Sequence, residues 1–322
     1  MIRTWLAALM AALIATAAAA QGSYPDKPVR FIVGFTAGSA TDITARLFAQ
    51  KFQQAWGVAV TVENVPGAGG SVGGDRVAKS APDGTTFYWG ANGALTINPT
   101  LLASQTYDVE RDLAPVARLL VMPSILAVNN DVPAKSVAEL IALAKSQPGK
   151  LSYASPGTGT PQHIAAEVFK AQLGLDIVHV PYRGSTGMRT DILSGQIQML
   201  FDSVPTMAPM IKSGMVRALG TTGRERSPIL ANIPTITEAG VPGFQATLWV
   251  GFMAPAGTPQ PVLDLLNREI TKIVERPDIK AAWAQQGATA MTMSAPQFKV
   301  FMQDQVAKWA KVIADNHIRH IN

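Results

Sequence analysis

Apolar positions recur along the chain in two alternating rhythms. Val29, Phe31, Ile32 and Val33 form a short apolar run, and Ile43, Leu47, Phe48 and Phe52 then return at helical spacing. This predicts a strand over 29–33 and a helix over 42–55. Residues 58–62 predict a second strand, 71–80 a short helix and 87–89 a buried strand. The order is β-α-β-α-β, the sign of a mostly parallel sheet with helices on its faces. The middle of the chain repeats the theme. Strands are expected at 125–128, 152–154, 177–180 and 199–201. Ser136 is placed to cap a helix bearing Leu140, Ile141 and Leu143, and Pro161 to open one bearing Ile164, Val168, Phe169 and Leu173. Further helices are expected over 187–193, from Thr258-Pro259 to about Glu275, and over 295–315.

The pattern is therefore that of two small α/β lobes, with a cleft between them. The chain is expected to cross from the first lobe at about 123 and to return at about 225. This gives one lobe from 21–123 plus 225–322, and a second from 124–224. Ahead of the first strand, residues 5–20 are apolar apart from Thr16, follow a single positive charge at Arg3 and end in alanines. That is the plan of a secretory signal peptide cleaved after Ala20, and the run is shorter than the roughly 20 residues a spanning helix needs.

The chain has no cysteine, which excludes a disulfide framework, a thiolate metal site and a cysteine nucleophile. The formal charge of +5 becomes +5 − 1 = +4 once Arg3 leaves with the signal. The basic residues are scattered and not interleaved with aromatics, so no nucleic-acid partner is expected. The periplasm is the economical location.

Two loop-to-helix junctions carry the candidate chemistry. One is Phe35-Thr36-Ala37-Gly38-Ser39-Ala40-Thr41-Asp42, the other Ser155-Pro156-Gly157-Thr158-Gly159-Thr160-Pro161. Each follows a strand, carries glycine and hydroxyls, and opens a helix whose free amides form a partial positive pole. Singly, each is also what ordinary capping produces. Facing one cleft as a pair, they would make a carboxylate clamp. Tyr182 and Arg183 can reach a ligand oxygen or lie in a solvated loop. Asp202 can fix a ligand or cap the segment that follows it. The glycine run 67–74 lacks the dinucleotide spacing, because Val72 stands where a glycine is required, so it reads as a backbone turn feeding a helix. His163 reads as a first-turn helix residue rather than a base. His317 and His320 have no companion ligands for a metal. No nucleophile–base pair is evident, no cofactor is expected, and the chain is not expected to be an enzyme.

Taken together, Tyr24-Pro25-Asp26-Lys27-Pro28-Val29-Arg30, the 34–42 loop, Val62-Glu63-Asn64-Val65-Pro66-Gly67-Ala68-Gly69-Gly70, Ala81-Pro82-Asp83-Gly84 and Trp249-Val250-Gly251-Phe252-Met253-Ala254-Pro255 resemble the tripartite tricarboxylate transporter receptors, or Bug family. The resemblance covers nearly all of the mature chain. It implies a periplasmic solute-binding protein of type II topology whose two lobes close on a ligand. The ligand implied is a small organic carboxylate held by backbone amides, hydroxyls and waters. Ligand residues would come from Phe35 to Asp42, Ser155 to Thr160, the Tyr182–Ser185 segment, with Tyr182 and Arg183 foremost, and Asp202. Ser39 stands where the family's loop often has a second glycine. Membrane transporter subunits, or a sensor for an orphan receptor, are the implied partners of what should be a monomer. A secreted enzyme working in the same cleft is the competing expectation.

Overall fold

The computed structural model describes residues 24–315, apart from Gln245, together with Ile318. The expected signal peptide, His317 and His320 lie outside the described residues. Eleven strands are found among these residues: β1 (Val29–Val33), β2 (Val60–Asn64), β3 (Thr86–Ala91), β4 (Leu113–Met122), β5 (Ser124–Asn129), β6 (Ser152–Ser155), β7 (Val178–Pro181), β8 (Met199–Ser203), β9 (Val216–Thr221), β10 (Leu248–Pro255) and β11 (Thr289–Ala290). The helices are α1 (Ala40–Trp56), α2 (Ser71–Ala78), α3 (Asn98–Leu101), α4 (Val109–Asp112), α5 (Val137–Ser146), α6 (Pro161–Leu173), α7 (Ser185–Leu193), α8 (Val204–Lys212), α9 (Gln260–Glu275), α10 (Pro277–Gln285) and α11 (Ala295–Asp315). No described helix is long and apolar enough to cross a membrane.

The strands form two sheets, ordered β11-β4-β10-β3-β1-β2 and β7-β6-β8-β5-β9. In each sheet one strand, β1 or β6, lies between the two βαβ-connected strands that follow it in its lobe. Those neighbours pair with it in parallel, as βαβ connections require. The rest of each sheet differs from the mostly parallel expectation. β10 is antiparallel to β3 and β4, and β5 is antiparallel to β8 and β9. Both β5 and β10 enter their sheet from the other lobe, so they arrive against the local direction.

Burial explains the elements. β3, β5, β8 and β10 are buried at every position, which is why they read as continuous apolar runs. In the first lobe, Phe31, Phe48, Phe52, Trp89, Phe252 and Trp283 pack ring on ring between the sheet and α1, α9 and α10. α1 stops at Gly57, whose φ of 69° is the left-handed terminator of a helix. In the second lobe Phe169, Phe201 and Phe244 form the corresponding cluster.

The chain passes between the sheets at Pro123, between β4 and β5, where the first crossing is expected. The return is later than expected. Ile236, Val241, Phe244 and Ala246 are buried in the second lobe's core, and Thr221 bridges Thr235, so the second lobe extends to the start of β10 at Leu248. α11 serves both lobes: Phe298 and Met302 pack on the first, Trp309 and Ile313 on the second. Neither assignment has a local signature, because an apolar residue does not state which core it joins.

Candidate functional site

A cavity of about 380 Å³ lies between the lobes. Its walls are Gly34–Thr36, Pro66–Gly70, Pro156–Thr158 with Thr160, and Tyr182–Gly184. These segments follow β1, β2, β6 and β7. The site therefore sits at the carboxyl ends of the parallel strands, beside the point in each sheet where the strand order reverses. A larger hollow of about 560 Å³ lies between residues 95–111, Met302 and Val306; it gathers Asp108, Glu110 and Arg111 and touches none of the strand-end loops. It is not the candidate.

Glycines let the loops approach. A Cβ on Gly34 would sit 2.6 Å from the Gly70 Cα, and the Tyr88 hydroxyl donates to the Gly70 carbonyl at 2.8 Å. The first lobe's two cavity-lining loops are thereby locked to each other. Gly70 and Gly184, with φ of 104° and 109°, are the N-cap residues of α2 and α7, and neither helix start receives a side-chain cap. Thr160 caps α6, accepting from the His163 amide at 3.3 Å while its hydroxyl donates to the Gly157 carbonyl at 2.7 Å. Three helix N-termini thus reach the cavity through Gly70, Thr160 and Gly184. Each carries a partial positive charge. Among the described residues lining the cavity, Arg183 is the one with a charged side chain.

Of the expected segments, Phe35, Thr36, Pro156, Gly157, Thr158, Thr160, Tyr182, Arg183 and Gly184 line the cavity. The others are placed differently. Ala37 and Gly38 are exposed, while Ser39, Thr41 and Asp42 are buried in the start of α1. Asp42 accepts from the Gly38 amide at 2.9 Å, Asn64 at 2.9 Å and Arg46 at 3.1 Å. Burial alone would raise its pKa, but these hydrogen bonds hold the carboxyl below its ordinary value. The α1 N-terminus is therefore satisfied by its own chain, while the helix starts at the cavity wall are those of α2, α6 and α7.

Ser155 and Gly159 lie just beneath the wall. Ser155 is fully buried, its Oγ 2.7 Å from His179 Nε2, and the Gly157 amide donates to it at 3.3 Å. The Gly159 amide donates to His163 Nδ1 at 3.4 Å, and the His163 ring stacks on His179 at 4.3 Å. Burial, with His179 alongside, lowers the His163 pKa to about 3, and burial lowers that of His179 to about 4. Both rings are neutral props of the loop. Tyr182 lines the cavity, while its hydroxyl donates to Asp191; burial and that carboxylate push its pKa up to about 12.

Asp202 is enclosed at the end of β8. Its Oδ1 accepts from the Ser203 amide at 2.8 Å, Oδ2 has no hydrogen-bond partner, and Arg189 stands 4.0 Å away. Burial raises its pKa to about 6. It does not line the cavity. Sequence reasoning missed the 66–70 loop as a wall. The available signal was position: 66–70 follows β2 just as 34–36 follows β1.

The family model of the tripartite tricarboxylate transporter family receptor matches residues 44–318. The chain belongs to this receptor family. It is 35% identical over 316 residues to the UPF0065 protein in the tcbD-tcbE intergenic region of Pseudomonas sp. strain P51, covering 97% of this chain and 94% of that one. It is likewise 35% identical to protein BugT of Bordetella pertussis, covering 97% of each. Among solved receptors, R. palustris Rpa4515 with adipate superposes with a TM-score of 0.88 at 32% identity, covering 92% of this chain and 99% of that one. MatC of Rhodopseudomonas palustris with bound malate gives 0.84 at 29% identity, covering 90% and 100%. This receptor shares their two-lobed binding-protein fold.

Proposed function

We propose that this receptor works in the periplasm, after removal of residues 1–20, capturing a small organic carboxylate between its lobes for delivery to a membrane transporter. The observation that carries the reading is the cavity wall itself. Three helix N-termini from two lobes converge on it, with Arg183 as its one charged side chain among the described residues. Each terminus is worth about 0.3–1 kcal/mol toward an anion. The adipate and malate of the related structures support the same ligand class.

Phe35, Thr36, Gly157, Thr158, Thr160, Tyr182 and Arg183 are assigned to ligand contact, joined by the 66–70 loop. Ser39, Asp42, Ser155 and Asp202 are assigned to support. Binding rather than turnover is the function. The Ser155–His179 pair is the nearest approach to a nucleophile and base, and Ser155 is sealed below the loop with its hydroxyl engaged.

The test is a thermal-shift screen of residues 21–322 against mono-, di- and tricarboxylates, aromatic acids and amino acids. Binding confined to the native state raises the melting temperature. A rise with a group of acids supports the reading. A rise with neutral solutes only, or turnover of a bound acid, overturns it.

A further inference from the structure

Beside the ligand cavity the lobes meet along a seam of glycine backbone into which the Asn98 side chain reaches. A Cβ placed on Gly69 of the first lobe would overlap the Gly159 carbonyl of the second. A Cβ on Gly93 would sit 2.7 Å from that same oxygen, and one on Gly159 would sit 2.5 Å from Asn98 Oδ1. Asn98 is fully buried. Its Nδ2 donates to the Ala68 carbonyl and to Ser71 Oγ, both at 2.9 Å, while Oδ1 has no hydrogen-bond partner. Gly93 opens a widened helical turn, Gly93–Ile97, that leads directly into Asn98. From the second lobe, His163 holds the Gly159 amide.

These contacts join the two loops through glycine backbone and the Asn98 side chain. Asn98 fixes the 66–70 loop with one end of its amide and meets Gly159 with the other. We propose that Gly69, Gly93 and Gly159, with Asn98, are positioning residues that act as a closure stop, setting how near the lobes come and so the width of the ligand cavity. Packed interfaces of this density do not absorb an added methyl without displacement. One extra carbon in the seam therefore props the lobes apart. The proposal does not depend on which solute is bound.

Gly93→Ala is the cleanest probe, because Gly93 does not have a positive φ and alanine is at ease in a helical turn. The chain has no cysteine, so an engineered pair supplies its own readout. A Cβ on Gly184 would lie 3.4 Å from the Thr36 Cβ across the cavity, close to the ~3.5–4.5 Å spacing of a disulfide. The experiment measures the rate of intramolecular disulfide formation in Thr36→Cys/Gly184→Cys under a fixed oxidant, with and without Gly93→Ala. The far-UV spectrum and melting temperature of the reduced proteins check folding.

The expected result is oxidation slowed about tenfold or more by Gly93→Ala, with folding intact, and a larger radius of gyration by small-angle scattering. Gly69→Ala, against the same carbonyl, should slow it likewise and serves if Gly93→Ala folds poorly. Equal oxidation rates and equal radii would overturn the proposal. Failure of either background to cross-link would also overturn it, since the closed approach would then not be sampled. No ligand is added, so a failure here is separate from a failure of the carboxylate reading.

Discussion

The start of α1 and the start of α6 have one construction and two outcomes. Each follows the strand, β1 or β6, that is flanked by two parallel partners in its sheet. Each has a glycine before the cap, Gly38 at φ 76° and Gly159 at φ 75°. Ser39 and Thr160 then accept from the amide three residues on, and the side chain there reaches back to the glycine amide. The difference is that side chain. Asp42 brings a carboxylate, further held by Arg46, and so places its own negative charge on the positive end of α1. His163 brings a neutral ring and leaves the positive end of α6 unneutralised. A helix N-terminus is thus available to a ligand anion only where the chain has not already supplied one.

The largest effect should come from comparing glycines across the two junctions. Gly157→Val puts a branched side chain into the cavity wall and should weaken acid binding by more than about 100-fold, roughly 2.8 kcal/mol, by calorimetry. Gly38→Val meets nothing within 4 Å and should leave affinity within about twofold. It should still cost about 1–2 kcal/mol of stability, because a β-branched residue resists positive φ. Equal losses of affinity would dissolve the distinction between the junctions.

His163→Asp rebuilds the second junction as the first. It should lower acid affinity about tenfold or more, roughly 1.4 kcal/mol, whereas His163→Gln, a neutral acceptor, should keep most of it. If both variants bind alike, the charge argument fails.

The pH dependence sharpens the same point. His163 and His179 have folded pKa values below the ordinary 6.5, near 3 and 4, with Glu167 and Lys170 the charged groups beside them. The unfolded chain therefore takes up protons that the folded one refuses. Stability should be full above about pH 7 and fall, by on the order of a few kcal/mol, as pH drops from about 6.5 toward 4. Asp202 acts in the opposite sense. Its raised pKa of about 6 means that stability is gained as pH falls through 6 toward 3.8, offsetting part of the loss. Melting temperatures from pH 7.5 to 4.5 should show a flatter profile in His163→Gln/His179→Gln than in the wild type. Asp202→Asn should raise the melting temperature at pH 8 and change it little at pH 5.

Asp42→Asn should have the smallest influence on function. It should cost about 1 kcal/mol by removing charge-assisted hydrogen bonds, with acid affinity unchanged. A clear gain or loss of affinity would show that the α1 terminus communicates with the ligand after all.

Much of this receptor was legible in its sequence. Val29–Val33 and the 3–4 spacing of Ile43, Leu47, Phe48 and Phe52 define β1 and α1, and Ser136, Thr160 and Pro161 mark helix starts where α5 and α6 begin. The glycine-bearing loops at 34–39 and 155–160 were recognisable as places where backbone amides come forward. Such features depend on neighbours a few residues away, and a local pattern records them. What the tertiary structure decided is which amides remain free and which surfaces meet. Asp42 turns inward onto Gly38 and Asn64, Asp202 is enclosed beside Arg189, and the 66–70 loop forms a wall where the pattern promised only a turn. Ile236, Val241, Phe244 and Ala246 join the second core, and Gly69, Gly93 and Gly159 converge from three distant segments. Apolar periodicity fixes that a side chain is buried and on which face of its own element. It carries no record of the partner across the cleft, which is set by packing between residues far apart in the chain.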